Sequence, residues 1–285
     1  MTRLTVAAAQ IACRQGDLGV NLASHLAMIA AARARDVDLL VFPELSLTDY
    51  LAAPDCAALG TTLAAPEFAV IAEAAGKMQV SVGFIERDAQ GRFFNAQALI
   101  AGDRISVHRK LNLPGYGALR EDAVYRKGEA LELASLRDGV RVATLICADS
   151  WNPALPWLVA LAGAELLILP VASSRGAVDG GFDNPRGWEI NLAHTAMTYG
   201  LPTIFANHCG RRAGFDFWGG SRILDASGRE LARAGEAPEL ILAEIDLAGG
   251  AAARINLPTI RDSDPALIHR LLGETLALAT KAGPA

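Results

Sequence analysis

The sequence has 285 residues, 52% of them hydrophobic, and a formal net charge of −5 with acids and bases interspersed. No basic stripe of the kind that tracks nucleic acid is present, the cluster His108-Arg109-Lys110 being too short, and no apolar run reaches the length of a membrane span. Neither nucleic acid nor a bilayer is thereby expected as a partner.

A chain of this length buries roughly three quarters of its unfolded surface, so one large core needs no staples. No Gly/Ser-rich or Pro-rich linker divides it, and a single domain over residues 1–285 is expected. The four cysteines, Cys13, Cys56, Cys147 and Cys209, are scattered without a CxxC pair, and the five histidines show no metal-ligand spacing. Neither metal nor cofactor is expected. Scattered cysteines fit a reducing compartment, and Met1-Thr2-Arg3-Leu4 leads into an apolar run with no signal-peptide pattern, so the expected location is the cytoplasm.

In chain order, Leu4 to Ala12 suits a buried strand. Asn21 to Ala34 carries helical periodicity through Leu22, Leu26, Ile29 and Ala30. Asp38 to Phe42 is a continuous apolar strand, 66–77 a helix with Pro66 in its first turn, and Gln79 to Ile85 a strand. Turns at 88–91 and 101–103 lead into Arg92 to Ile100 and Ile105 to Arg109, an antiparallel meander. The alternation then repeats: strand Val140 to Ile146, helix Pro153 to Ala162, strand Glu165 to Leu169, helix 185–199, strand Thr203 to Ala206. Ser221 to Leu224 and Leu240 to Ile245, across a turn at Ala226-Ser227-Gly228, are expected to pair antiparallel, and a helix from Pro265 to Thr280 follows. Strands apolar throughout are covered on both faces. The pattern predicts two mixed sheets packed face to face with helices outside, pseudo-symmetric in element order; an open six-strand doubly wound sheet is the alternative.

Ligands of α/β sheets gather at strand ends, and three chemically able residues fall there: Glu44 after Leu39-Leu40-Val41-Phe42-Pro43, Lys110 after Ile105 to Arg109, and Cys147 after Val142 to Ile146. Taken singly they read as a loop acid, a solvated lysine and a small core thiol. Together they are complementary. A thiol lowered in pKa by a helix N-terminus and a nearby cation attacks an electrophilic carbon, an ammonium stabilises the oxyanion, and a carboxylate carries protons.

Phe42-Pro43-Glu44-Leu45, Arg109-Lys110-Leu111-Asn112-Leu113-Pro114, Ile146-Cys147-Ala148-Asp149-Ser150-Trp151, Leu169-Pro170-Val171-Ala172-Ser173-Ser174 and Phe217-Trp218-Gly219-Gly220-Ser221, together with the opening strand Val6-Ala7-Ala8-Ala9-Gln10, resemble the carbon–nitrogen hydrolase (nitrilase) superfamily over residues 4–246, in its amidase/carbamoylase-like branch. The resemblance implies a four-layer α-β-β-α sandwich. It implies a homodimer or larger homo-oligomer; the segment beyond the resemblance, 247–285, is expected to be an oligomer contact. It also implies Glu44 as general base and acid, Lys110 as oxyanion-binding lysine, Cys147 as nucleophile, and the Ala148 N–H as the second oxyanion donor. A second glutamate that orients the lysine matches Glu121, with Asp122 as its neighbour and competitor. Tyr116, Trp151, Ser173 and Ser174 are the substrate-binding candidates. Arg175 and Arg186 read as surface residues, with carboxylate binding as the alternative, and a His208/Cys209 dyad is a weak reading.

The sequence departs from the family pattern. Cys147-Ala148-Asp149 replaces the Cys-Trp-Glu of nitrile-cleaving members, which favours amides. Asn112 stands where many amidases and carbamoylases have histidine. The Cys147 segment looks nearest to glutamine-amidase domains that feed NAD synthesis, and with the sequence ending at residue 285 an ammonia-channelling role is expected to need a separate chain. The expected activity is hydrolysis of a small linear amide or N-carbamoyl compound through a cysteinyl thioester; N-acyl transfer, nitrile hydrolysis and an idle scaffold subunit are the alternatives.

Overall fold

The computed structural model describes residues 3–136, 139–178 and 180–282; Met1-Thr2, and the last three residues of the segment expected to contact a second copy, lie outside the described residues. The chain runs β1 (Arg3–Gln10), α1 (Leu18–Arg33), β2 (Leu39–Val41), α2 (Cys56–Leu59), α3 (Pro66–Ala75), β3 (Gln79–Arg87), β4 (Phe93–Ala101), β5 (Arg104–Arg109), α4 (Glu121–Val124), β6 (Ala134–Ser135), β7 (Arg141–Thr144), α5 (Ala154–Leu161), β8 (Leu166–Val171), β9 (Ser174–Arg175), α6 (Asn184–Tyr199), β10 (Thr203–Asn207), β11 (Cys209–Arg212), β12 (Phe215–Trp218), β13 (Arg222–Leu224), β14 (Glu230–Arg233), β15 (Glu239–Asp246), α7 (Leu247–Asn256) and α8 (Pro265–Ala282).

Two mixed sheets result, ordered β15-β1-β2-β3-β4-β5 and β6-β7-β8-β10-β13-β14. Each has three central parallel strands, one antiparallel strand on one flank and two on the other. This is the pseudo-symmetry expected from element order, and it replaces the doubly wound alternative.

The two-residue period of a strand explains the layers. Val6 and Ala8 of β1, with Leu39 and Val41 of β2, face Leu166 and Ile168 of β8 and Ile204 of β10 in the core between the sheets. The alternate residues Ala7, Ala9 and Leu40 pack outward on Ile29 of α1 and Phe68 and Ile71 of α3. Leu167 and Leu169 pack outward on Val159 of α5 and Trp188 and Leu192 of α6. Each fully buried Val, Leu, Ile or Phe contributes roughly 1.5–3 kcal/mol. The architecture is the four-layer α-β-β-α sandwich.

One expected pairing is corrected. Leu240 to Ile245 does not return to Ser221–Leu224: β15 crosses to the other sheet and pairs antiparallel with β1, from Arg3↔Asp246 to Gln10↔Glu239. The partner of β13 is β14, across a turn closed by Gly228 at φ 82°. Crossing lets Ile241 and Ile245 fill the core between the sheets. The three-stranded sheet β11-β12-β9, the helix α7 and the 3-10 turns at Tyr50–Asp55 and Cys147–Trp151 are further elements that the apolar periodicity does not announce. Among the described residues no helix is long and apolar enough to cross a membrane.

Candidate active site

Glu44 lies just beyond β2, Lys110 follows β5, and Cys147 lies just beyond β7; packing the sheets face to face brings these ends together. Gly83 of β3 makes room for the first. A Cβ there would run into the backbone of Pro43, Glu44 and Leu45, so only glycine lets that segment lie flat on the strand.

Lys110 is fully buried between two carboxylates. Its Nζ stands 2.6 Å from Glu44 Oε1 and 2.7 Å from Glu121 Oε1. Asn95 of β4 donates from Nδ2 to Glu44 Oε1 at 2.7 Å and to Glu121 Oε2 at 3.2 Å. The Tyr50 hydroxyl donates to Glu121 Oε1 at 2.9 Å, and the Ala172 N–H donates to Glu44 Oε2 at 2.9 Å. Of Glu121 and Asp122, it is Glu121 that lies on Lys110, buried at the start of the one-turn helix α4, while Asp122 is exposed. Asn95 and Tyr50 were not singled out from the sequence. The available signal was a polar residue inside the apolar run Phe93 to Ile100.

Burial disfavours charge on Lys110, but Glu121 and Glu44 outweigh it and hold the ammonium well above the ordinary lysine range. Burial also raises the Glu121 carboxyl, against the pull of Lys110, and the adjacent Glu44 charge adds to the rise. Two carboxylates around one ammonium carry a net negative charge that favours retention of one further proton.

Cys147 opens the 3-10 turn at the end of β7 with φ 46°, a left-handed conformation costly for any residue but glycine. Its thiol sits close enough to Glu44, Lys110 and Glu121 for all three charges to act on it. The expected depression of its pKa is corrected. Burial and the Glu44 charge push the thiol well above the ordinary cysteine value; Lys110 and the Ala172 N–H oppose them and lose. The resting group is a neutral thiol beside a carboxylate.

Asp149, two residues on, is fully buried. Oδ1 accepts the N–H groups of Leu111 and Asn112 at 2.9 and 2.7 Å, and Oδ2 accepts the Ile146 N–H at 3.0 Å and lies 3.1 Å from His108 Nε2. One carboxylate thus ties the residues flanking Lys110 to the residue before Cys147.

A pocket above Cys147 is lined by Tyr50, Pro114, Tyr116, Leu119, Glu121, Ala148, Trp151, Ala172, Ser173, Ser174, Ala177, Val178, Asn184 and Trp188. All five substrate-binding candidates, Tyr116, Ala148, Trp151, Ser173 and Ser174, therefore line one space. Trp151 keeps a face exposed while its ring meets Phe182 and Trp188 edge-on. Asn184 and Trp188 of α6 join them without having been expected. Arg175 and Arg186 are exposed and paired with Asp216 and Glu236, and with Glu189. The His208 ring is bonded through Nε2 to the Glu44 carbonyl at 2.6 Å, which makes it a brace for the loop rather than a partner of Cys209.

The sequence model of the family described as carbon–nitrogen hydrolase matches residues 5–255. The chain belongs to the carbon–nitrogen hydrolase family. This carbon–nitrogen hydrolase is 30% identical over 256 residues to a glutamine-dependent NAD(+) synthetase of Thermotoga maritima, a match covering 87% of this chain but only 43% of the synthetase. It is 32% identical over 261 residues to an (R)-stereoselective amidase of a Pseudomonas species, covering 89% of each chain. Its fold is that of a carbon–nitrogen hydrolase from Helicobacter pylori G27, with a TM-score of 0.85 at 24% identity over 95% of this chain and 98% of the other.

Proposed function

We propose that this chain hydrolyses the C–N bond of a small linear amide through a thioester on Cys147. The observation that carries the reading is the buried ammonium of Lys110 held between Glu44 and Glu121 beside the pocket that Cys147 opens into. Glu44 takes the thiol proton as sulfur adds to the amide carbon, so thiolate need not exist beforehand. Two of the three Lys110 N–H donors go to carboxylates; the third, with the Ala148 N–H, faces the oxyanion. Glu44 then gives its proton to the departing nitrogen, which leaves as ammonia or amine. The resulting thioester is hydrolysed when Glu44 deprotonates a water, and the carboxylic acid departs with thiol and carboxylate restored. Glu121 keeps Lys110 charged and in place.

Unpaired cysteines support a reducing compartment. The exposed Ile190 and Met197 of α6 and Leu267, Leu271 and Leu272 of α8 support assembly with a second copy.

Incubation with a panel of linear primary amides, read by ammonia release, tests the activity. Release is expected from the wild-type chain and to fall at least about 10⁴-fold in Cys147→Ala; undiminished release by that variant refutes the reading.

A further inference from the structure

The space above Cys147 is about 40 Å³ and opens to solvent on one side, enough for a few water molecules at most. It fits a carboxamide and a short chain. Beyond the reacting groups its walls are Tyr116, Leu119, Trp151, Val178 and Trp188, neutral and mostly apolar.

Of the polar side chains that reach it, Ser173, Ser174 and Asn184 are bonded to the protein, while the exposed Tyr116 hydroxyl and the Ser173 O–H stay available to a ligand. Ser173 Oγ accepts the Trp218 Nε1–H at 3.0 Å. Ser174 Oγ donates to the Arg175 carbonyl at 3.1 Å and accepts the Asp216 N–H at 2.8 Å. Asn184 Nδ2 donates to the Ser174 carbonyl. Among the described residues, the one charged side chain in the lining is Glu121, already paired with Lys110. The guanidinium groups of Arg175 and Arg186 lie at the exposed surface, each held by an acid. Among the described residues, no uncommitted charge lines the pocket.

We infer that the site selects neutral amides with a short apolar acyl group and discriminates against acyl chains that end in a carboxylate or an ammonium. The inference rests on the amide reading above and narrows it. A charged terminus entering this pocket gives up its hydration and meets no uncommitted counter-charge, only neutral hydroxyl and amide groups among apolar walls. A methyl group in the same position gives up nothing and gains contact with Trp151 and Val178. Specificity of this kind comes from what the wall fails to offer the wrong ligand, and such differences reach two or more orders of magnitude.

Two matched pairs test it on the wild-type protein: butyramide against succinamate, in which a terminal methyl becomes a carboxylate, and valeramide against 4-aminobutyramide, in which it becomes an ammonium. Within each pair kcat/KM is expected to favour the neutral amide by at least about 100-fold. In Val178→Arg, which places a cation on the wall, the ratio of succinamate to butyramide is expected to rise at least about tenfold. Equal or faster turnover of either charged member overturns the inference. If no amide in the panel releases ammonia, the hydrolysis reading fails. The ligand class is then read from protection of Cys147 against iodoacetamide. Protection by butyramide and valeramide alone supports the inference; equal protection by the charged partners, or by none of the four, overturns it.

Discussion

The Asp149 carboxylate accepts the backbone N–H of Asn112 at 2.7 Å, and that bond fastens the turn bearing Cys147 to the loop bearing Lys110. The same group holds Leu111 and Ile146, so it braces the chain beside both Lys110 and Cys147 from one buried point. Asp149→Asn keeps the volume but turns one acceptor edge into a donor that faces N–H groups. A loss of about 3 kcal/mol in folding stability is expected, with kcat down about 10²-fold and KM within a few-fold, since a displacement near 1 Å between nucleophile and oxyanion donor suffices for that. Urea unfolding and steady-state kinetics on an amide substrate check both numbers.

Lys110 is the shared counter-charge of two buried carboxylates. Lys110→Met is expected to cost about 3–5 kcal/mol, because both acids are left buried without a counter-charge. Adding Glu121→Gln removes one of the stranded acids, so the double variant should be more stable than Lys110→Met alone, although neither retains activity. A double variant that is less stable would contradict the arrangement; thermal unfolding decides.

Much of this was legible in the sequence. Apolar strands ending in Glu44, Lys110 and Cys147 announced both the sandwich and the cluster, because a buried strand exposes chemistry only where it stops. The residues that hold the cluster were less visible. Asn95 sits mid-strand and reads as an ordinary interruption of an apolar run until β4 lies beside the ends of β2 and β5. Tyr50 arrives on a 3-10 turn, and Trp188 on a helix whose inner face reads simply as core. The destination of β15 was missed for a different reason: a turn fixes the local reversal of the chain, not the sheet edge that a strand takes after it.

The thiol of Cys147 is held above the ordinary range by burial first and by the charge of Glu44 second. Alkylation of the free protein by iodoacetamide is therefore expected to be slow at neutral pH and to climb through the alkaline range with no plateau near pH 7. Rapid labelling at pH 5, followed by peptide mass spectrometry, would contradict a neutral resting thiol.

His25 and His208 are buried, and burial holds each imidazole down to about 4. Above pH about 6.5 both are neutral, folded or unfolded. As the pH falls, the unfolded chain binds protons that the native fold refuses, so stability is complete above the unfolded value and is lost progressively down to about pH 4. Each contributes about 3 kcal/mol to that loss. Urea midpoints are expected to fall steeply from pH 6.5 to 4, with a shallower slope in His25→Gln; a flat profile would show that neither ring is buried neutral.

The most direct measurement is the mass of the peptide containing Cys147 after rapid acid quench of the protein turning over a primary amide. The account predicts a fraction of that peptide heavier by the acyl group and lighter by one hydrogen, labile to hydroxylamine and absent from Cys147→Ser. Ammonia release at full rate with no acyl mass on Cys147 at any quench time would contradict it.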